Sequence, residues 1–486
     1  MSAIIAPCIS DIAVEASPAS GRSTNADRGR FLAEAVSGLA ATRPEFSART
    51  VATRAQAGTL LTVAAAAAAA CILWPFALAQ VLVGLMSASF LVGMSFRAWL
   101  AWSGRQKECR GAAASPFDLP IYTVLVPVRR EAAMLPGLIR ALKALDYPRD
   151  RLDLKLVAEE DDAETLAAAR TLARHGQFEI VAVPPCEPRT KPKACDYALH
   201  FARGEFVVVY DAEDRPEPDQ LRKAVAAFRA RRDTACFQAR LAIYNQRDGW
   251  LARMFALDYA IWFRTLLPGL ERIGAPMPLG GTSNHFRAGV LRAAGAWDPF
   301  NVTEDADLGI RLARLGHRVA MLDSTTFEEA PARLGPWLRQ RTRWQKGYMQ
   351  TLLVHTRRPA TLARDVGLRG LAAIELFLGG AVWSALVNPV LWVIFAASCA
   401  FAQHGVHAHL MESLARITGL GLLAANALLA ALSANGARAT GRLSAAARAL
   451  SYILYWILIS AAAYRALPQL VLRPFHWEKT PHGADG

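Results

Sequence analysis

The stretch that decides the fold is residues 204–218, GEFVVVYDAEDRPEP. Residues 206–210 are apolar and mostly β-branched, which predicts a buried strand. The strand ends at the carboxylates of Asp211, Glu213 and Asp214. Open α/β sheets bind ligands at the carboxyl ends of their strands, and two acids spaced two residues apart can both face a hard cation. A solvated acidic turn is the alternative that this stretch alone leaves open.

The residues around this strand alternate between strand and helix patterns. Strands are predicted at 122–127, 154–158 and 178–183, with helices at 131–145 and 164–175 between them. This order predicts an α/β domain with a mostly parallel sheet. The first strand is not followed by GxGxxG, and GxxxxGK[ST] does not occur in the sequence. A dinucleotide-binding enzyme and a P-loop NTPase are therefore not expected.

Long apolar segments flank this domain. The chain has 486 residues, of which 53% are hydrophobic and 20% charged. Residues 60–102 carry no charge before Arg97, and a helix of about 43 residues would be roughly 65 Å long, about twice the bilayer core. We therefore predict two transmembrane helices within residues 56–103, three to four more within 367–474, and a short tail over 475–486.

Charge and cysteine content constrain the surroundings of the chain. Residues 1–55 are rich in Ala, Ser and Arg and show little periodicity, so we predict a mostly disordered basic arm. The net charge is +14, and arginines border the apolar segments, which favours a multi-pass protein of the inner (plasma) membrane with a cytoplasmic domain. Without zinc-finger spacing or a basic stripe interleaved with aromatics, no nucleic-acid partner is expected. The seven cysteines form no CxxC and are predicted to be free thiols.

Further polar stretches follow in the second half of the domain. The basic loop at residues 188–193 carries lysines that suit a diphosphate, with a solvated loop as the alternative. Thr303 is a plausible cap for a helix over residues 305–315. Asp305 then either complements the helix dipole or acts as a general base. Residues 333–362 are predicted to form an interfacial helix.

Gln340, Arg343 and Trp344 fall at i, i+3 and i+4, so they share one face of that helix. The tryptophan can stack on a sugar and the arginine can reach a diphosphate, while packing at a membrane surface is the alternative. Glu375 and Arg465 lie in apolar segments, where a charge facing lipid is costly. They are candidates to line a sugar path, with snorkelling from a helix end as the alternative.

In this order, and between membrane segments, the sequences Asp211-Ala212-Glu213, Thr303-Glu304-Asp305 and Gln340-Arg341-Thr342-Arg343-Trp344 resemble the DxD, TED and QxxRW motifs of family 2 glycosyltransferases of the cellulose-synthase type. The resemblance runs from about residue 60 to residue 483. It implies an α/β domain of the GT-A fold at residues 115–332, inserted between transmembrane α-helices. It also implies inverting transfer from a UDP-sugar or a similar donor.

The resemblance assigns roles residue by residue. Asp305 matches the general base, and Asp211 and Glu213 match the acids that hold Mg²⁺ or Mn²⁺ together with the donor diphosphate. The substrate-binding residues that it implies are Glu160, Asp161, Lys193, Thr303, Glu304, Gln340, Arg343 and Trp344. The first acidic strand end departs from the usual Asp-Asp, so the assignment within residues 159–162 stays open. Asp214 can share the role of Glu213.

The implied function is transfer of sugar to a growing β-linked polysaccharide on the cytoplasmic face, processive and coupled to export. An inverting transfer requires a base for the acceptor hydroxyl and positive charge for the leaving diphosphate, and these residue types supply both. The expected partners are a nucleotide-sugar donor, a polysaccharide or lipid acceptor, and membrane lipids. Transfer of one sugar to a lipid is the alternative, and a catalytically inactive transporter or scaffold is a third possibility.

Overall fold

A computed structural model describes residues 24–104, 119–173, 178–401, 408–440 and 445–478. Within these ranges, the centre of the molecule is an eight-stranded mixed sheet with the order β3-β2-β1-β4-β7-β6-β8-β5. The strands are β1 (Tyr122–Val128), β2 (Leu152–Glu159), β3 (Glu179–Val183), β4 (Phe206–Val209), β5 (Arg215–Pro216), β6 (Thr234–Ile243), β7 (Asn284–Arg287) and β8 (Arg318–Glu328).

Helices surround the sheet and extend away from it. The helices of the amino-terminal half are α1 (Asn25–Thr42), α2 (Arg54–Leu73), α3 (Pro75–Ser103), α4 (Leu135–Lys143), α5 (Ala163–Ala173), α6 (Lys191–Leu199) and α7 (Gln220–Ala230). Those of the carboxyl-terminal half are α8 (Trp250–Ile261), α9 (Leu267–Arg272), α10 (Ala288–Ala293), α11 (Glu304–Arg314), α12 (Leu334–His355), α13 (Pro359–Ile374), α14 (Gly380–Phe401), α15 (Ala408–Thr440) and α16 (Ala445–Leu472). Two π-helical turns, Trp262–Leu266 and Glu375–Gly379, join α8 to α9 and α13 to α14. Short 3₁₀ turns lie at Pro44–Phe46, Ala132–Met134 and Arg149–Arg151.

The strand directions bring distant acids to one edge of the sheet. Strands β1, β2, β3 and β4 are parallel, which confirms the predicted strands and their direction. Strand β7 is antiparallel to both β4 and β6, and β8 is parallel to β6. Strands β4 and β8 therefore point the same way, and their carboxyl ends place Asp211 and Glu328 at the same edge.

The prediction of a disordered arm is wrong for the described part of that arm. Thr24 caps α1 through a capping box with Asp27, and Leu32 and Val36 are buried in the layer that covers one face of the sheet. The Arg357 guanidinium donates to backbone carbonyls within residues 44–50. Ala and Ser dilute the apolar spacing of this helix, which explains why its periodicity is hard to recognise in the sequence. Residues 1–23 of the arm lie outside the described residues.

Five helical segments of the described chain are long and apolar enough to cross a membrane: Arg54–Leu73, Pro75–Ser103, Pro359–Phe401, Ala408–Gly436 and Ser451–Leu472. The first two form the predicted hairpin, with its turn at Trp74 and Pro75. Both ends of this hairpin contact the sheet domain and its neighbours. Gln56 donates to the carbonyl of Leu353 over 2.8 Å, and Gly104 lies against the backbone of Thr265.

The last helix, α16, lies along α12 instead of leading away from the sheet domain. Tyr455, near its start, accepts hydrogen bonds from Trp337 and Arg341 of α12. Further along, Ala466 packs beside Met349. The segment after α16 then contacts α12 again, because Lys346 donates to the carbonyls of Arg473 and His476. From Tyr455 to the segment after its end, α16 therefore lies against α12.

Candidate active site

Two cavities meet at the carboxyl edge of the sheet. The sheet-edge cavity lies beside the ends of β1 and β2 and is lined by Val128 and Glu159. The membrane-side cavity reaches from Asp305 to residues of the membrane segments, such as Arg97. Five residues line both cavities: Lys191, Asp211, Glu213, Arg343 and Trp477. The two predicted metal ligands therefore stand at the junction of the two cavities.

The acidic turn after β4 is held by its own side chains. The Asp214 carboxylate accepts the backbone N–H of Asp211 over 2.8 Å and the hydroxyl of Thr282. Asp214 is buried and fixes the turn, whereas Asp211 and Glu213 face the cavities. Burial, followed by the nearby charge of Asp211, raises the pKa of Glu213 well above its usual range. A cation at this junction would therefore stabilise the ionised form of Glu213.

The lysine that faces the acids is Lys191, not the predicted Lys193. The Lys191 ammonium donates to Asp211 Oδ1 over 2.5 Å and to the carbonyl of Gly281 over 2.6 Å. Burial opposes its charge, but the carboxylates of Asp211, Asp305 and Glu304 outweigh burial and raise the pKa of Lys191. Lys193 lies two residues further along α6, so it points elsewhere on the helix. It is fully buried and forms an ion pair with Glu159 over 2.8 Å.

The acids at the end of β2 also differ from the prediction in their placement. Glu160 pairs with Arg28 of the amino-terminal arm, and Asp161 pairs with Arg189. Neither lines the two cavities, whereas Glu159 lines the sheet-edge cavity. Because side chains alternate along a strand, a shift of one residue decides which acid faces the cavity.

Asp305 lies in the first turn of α11 and lines the membrane-side cavity. Its Oδ1 accepts the indole N–H of Trp297 over 3.2 Å and the side-chain amide of Asn284 over 3.3 Å. Burial raises the pKa of Asp305 to about 6, with Lys191 acting in the opposite direction. A carboxylate with this pKa is suited to accept a proton near neutral pH.

The turn before α11 is fixed by α12. Thr303 is the N-cap residue, but its side chain forms no capping hydrogen bond, which corrects that part of the prediction. Gly347 of α12 lies so close that an added Cβ would be 2.3 Å from Thr303 Oγ1. Glu304 lines the membrane-side cavity, and burial, together with the charge of Asp305, raises its pKa.

The predicted face of α12 does line the membrane-side cavity through Gln340, Arg343 and Trp344. The Arg343 guanidinium lies 4.3 Å from the ring centre of Trp477, which stands in the tail after α16. Burial lowers the pKa of Arg343, and the carboxylates of Glu304 and Asp211 oppose that effect. Trp344 packs against Tyr259, with ring centres 6.2 Å apart.

The sequence analysis assigned no role to several other lining residues, among them Glu328, Tyr259 and Trp477. Glu328 ends β8, and its carboxylate accepts the Tyr259 hydroxyl over 3.2 Å. Burial, with Asp211 nearby, raises the pKa of Glu328. The sequence does contain a signal for Glu328, because it is an acid at the end of a strand, the same pattern that identified Asp211. The candidates Glu375 and Arg465 line neither cavity, and Arg465 forms a two-point ion pair with Glu478 at 2.7 Å.

Several lining side chains carry hydrogen-bond acceptors that other described residues leave unsatisfied. Glu328 Oε1, Gln340 Oε1 and Gln345 Oε1 are buried and have no partner in the described chain. A buried acceptor without a donor is unfavourable, so a ligand rich in hydroxyl groups would be stabilised there. Aromatic side chains complete the lining: Tyr259, Trp262, Phe263, Trp344, Tyr348, Tyr452, Trp456 and Trp477. Acceptor oxygens beside aromatic faces suit a carbohydrate, whose ring presents hydroxyls at its edge and C–H groups on its face.

The donor set for a metal consists of two carboxylates. The described residues contain no group of three or more His, Cys, Asp or Glu that is arranged to hold a metal alone. Asp211 and Glu213 fit a Mg²⁺-like ion whose other ligands are phosphate oxygens and water, which is common for nucleotide substrates. The Asp211 carboxylate already faces one positive charge there, the ammonium of Lys191.

Comparisons with known proteins identify similar chains. The profile of the family described as glycosyltransferase like family 2 matches residues 120–347. A probable glycosyltransferase of Bacillus subtilis, YdaM, is 24% identical over 49% of this chain and 57% of its own length. A probable glucomannan 4-beta-mannosyltransferase of Arabidopsis thaliana is 26% identical over 51% of this chain and 45% of its own.

A beta-monoglucosyldiacylglycerol synthase of Trichormus variabilis is 26% identical over 51% of this chain and 52% of its own length. These alignments span about half the length of the curated relatives. A solved structure, a mannosyltransferase of Pyrobaculum calidifontis in complex with GDP-Man and Mn²⁺, is 21% identical with a TM-score of 0.48. That alignment covers 81% of this chain and 99% of the other.

Proposed function

Because residues 120–347 make this chain a member of the family 2 glycosyltransferases, we propose that it transfers a sugar from a nucleotide-sugar, a UDP-sugar in the first instance, to a β-linked glycan. The reaction would be inverting and would take place on the cytoplasmic face of the inner membrane. The arginines that border the apolar segments support that orientation. Processive extension with export through the membrane helices belongs to the same proposal.

The donor would lie in the sheet-edge cavity with its diphosphate at the junction of the two cavities. Asp211 and Glu213 would hold Mg²⁺ or Mn²⁺, which offsets the negative charge of a diphosphate when bound. Lys191 and Arg343 line the junction as well and add positive charge near the acids. The nucleoside would then contact Glu159 and the ends of β1 and β2. Donor roles for Glu160, Asp161 and Lys193 have no support from this geometry.

Asp305 is the proposed base. The acceptor hydroxyl oxygen forms a bond to the anomeric carbon while the bond from that carbon to the donor phosphate oxygen breaks. The proton of the hydroxyl passes to Asp305, and the electron pair of the broken bond leaves with the nucleoside diphosphate. Burial raises the pKa of Asp305 to about 6, so it remains ionised at neutral pH yet basic enough to accept the proton.

The choice of a glycan as the acceptor rests on one observation, the lining of the membrane-side cavity. Its unsatisfied acceptors on Glu328, Gln340 and Gln345 favour a ligand with several hydroxyls. Trp344 would stack on an acceptor ring. The same cavity continues to Ala381 and Ile459 of the membrane segments, which supports a path for the product away from Asp305.

Transfer of a single sugar to a lipid is the second candidate. The observation that favours it is the apolar, membrane-helix portion of the same cavity, lined by Leu266, Ala381 and Ile459. An acyl chain is compatible with that portion. With a lipid acceptor, the portion near Glu328 that carries the unsatisfied acceptors would hold only the head group.

Membrane vesicles that contain the full chain test both candidates. We would supply labelled UDP-glucose, UDP-GlcNAc or GDP-mannose with Mn²⁺ or Mg²⁺ and measure the size of the labelled product. A polymer from one donor supports the first candidate, and a single-sugar lipid supports the second. Absence of incorporation from every donor would contradict both candidates. Incorporation that is equal in the unchanged chain and in Asp305→Asn would also contradict both, because it would not depend on this site.

A further inference from the structure

Arg97 lies in membrane helix α3 and lines the same cavity as Asp305. Its relative exposure is only 5%, so the guanidinium does not extend to bulk water. A charged group in this position is costly unless a partner of opposite charge stabilises it. The stability of Arg97 in this position therefore depends on a partner of opposite charge.

Arg97 forms no ion pair within the described part of the chain. One NH group donates to the carbonyl of Phe377 over 3.0 Å, and the guanidinium lies 5.5 Å from the ring centre of Phe377. Its Nε is buried and has no hydrogen-bond partner. Asp258 acts on Arg97 electrostatically, but its two carboxylate oxygens already accept from Arg341 and Tyr452.

The position of Arg97 along α3 matches the level of lipid head groups. It stands six residues before Ser103, where α3 ends at the domain, so it lies about 9 Å along the helix from that end. Trp99 and Trp102 are exposed on the same part of α3. Exposed tryptophans at one end of a membrane helix are typical of the membrane–water interface. The guanidinium therefore faces the cavity just inside this interface.

We propose that Arg97 binds the phosphate group of a lipid-linked acceptor while the sugar end of that acceptor reaches Asp305. This inference rests on the proposed function and defines its acceptor class as an anionic, phosphate-bearing lipid. A phosphate supplies the missing counter-charge and can accept from Nε, the group that has no protein partner. A neutral acceptor such as a diacylglycerol would leave Arg97 uncompensated.

The test is a binding titration on the purified full chain in dodecyl maltoside, followed by tryptophan fluorescence, because Trp262 and Trp456 line the same cavity. The probes are 1-oleoyl lysophosphatidic acid, 1-oleoylglycerol, which lacks only the phosphate, and glycerol 3-phosphate, which lacks the acyl chain. We expect lysophosphatidic acid to bind about tenfold or more tightly than either partial probe, as befits a charge-assisted contact.

Arg97→Met should remove the preference for lysophosphatidic acid over 1-oleoylglycerol, and Arg97→Lys should retain part of it. Arg264→Met is the matched control, because Arg264 is exposed beside Trp262 and lines neither cavity. Thermal unfolding shows whether each variant is folded. If Arg97→Met does not fold, a partial loss of the preference in Arg97→Lys tests the inference instead. This measurement needs no sugar transfer, so failure of the proposed function would leave the lipid preference intact.

Three results would overturn the inference. Equal binding of lysophosphatidic acid and 1-oleoylglycerol to the unchanged chain would exclude a phosphate site. Equal binding of glycerol 3-phosphate and lysophosphatidic acid would assign the site to a soluble phosphate. A preference that persists in folded Arg97→Met would place the phosphate elsewhere in the molecule.

Discussion

The pH dependence of sugar transfer should report the pKa of Asp305. Its burial raises that pKa to about 6 from an ordinary value of 3.8. A base works only in its ionised form, so activity should be present above this pKa and lost as the pH falls through it. About nine-tenths of the carboxyl groups are ionised at pH 7 and about one-tenth at pH 5, so kcat/KM, which reports the ligand-free protein, should fall roughly tenfold over that interval.

The assay measures kcat/KM from pH 5 to pH 8 at donor and acceptor concentrations well below their KM values. The same pH profile is measured for Trp297→Phe. This substitution removes the indole N–H that stabilises the ionised form of Asp305. The activity profile of this variant should move to higher pH. Trp337→Phe is the matched control: it also changes a buried tryptophan, but that indole donates to Tyr455, away from the base.

The reasoning would be refuted by a profile that stays flat from pH 7 to pH 5. A carboxyl group with an ordinary pKa of 3.8 would lose less than about a tenth of its ionised form over that range. Equal shifts in Trp297→Phe and Trp337→Phe would also contradict it, because a general effect on packing would then explain both profiles. Turnover retained by Asp305→Asn would remove the residue from the role of base.

Three further variants test the remaining parts of the site. Asp211→Ala should weaken metal-dependent donor binding, measured by calorimetry with and without Mn²⁺, and unchanged affinity would contradict the metal assignment. Lys191→Met should raise the KM for the donor by about 10- to 100-fold, whereas Lys193→Met should not reproduce this selective change, because Lys193 lines neither cavity and its ammonium pairs with Glu159. Trp344→Ala should raise the KM for the acceptor by about tenfold and leave donor hydrolysis nearly unchanged. Equal losses in both reactions would indicate packing alone.

Local patterns were sufficient for the predicted parallel strands and the acidic turn. Asp211 and Glu213 follow a short buried strand, so neighbouring residues determine both the strand and the position of its acids. Lys191 and Lys193 are harder to separate, because the choice depends on where α6 begins and how it is rotated against the sheet. Such rotation is fixed by packing and not by the residues beside the lysines.

Other parts of the site depend on contacts between distant segments. Glu328 joins Asp211 only because β8 is parallel to β6, more than 70 residues earlier in the chain. The turn before α11 is placed by Gly347 of α12. Arg97 enters the cavity because α3 packs against the π-helical turn that contains Phe377. No local pattern encodes these pairings, so only the assembled fold reveals them.

The course of α16 has a consequence for what the protein presents across the membrane. If α16 does not cross the membrane, the described ends that remain on the far side are the Trp74–Pro75 turn, the end of α14 and the start of α15. Cys71 and Cys399 stand within two residues of the far ends of α2 and α14, whereas Cys186, Cys195 and Cys236 are buried in the sheet domain. An impermeant thiol reagent applied to that far side would therefore find only Cys71 and Cys399 among the described cysteines.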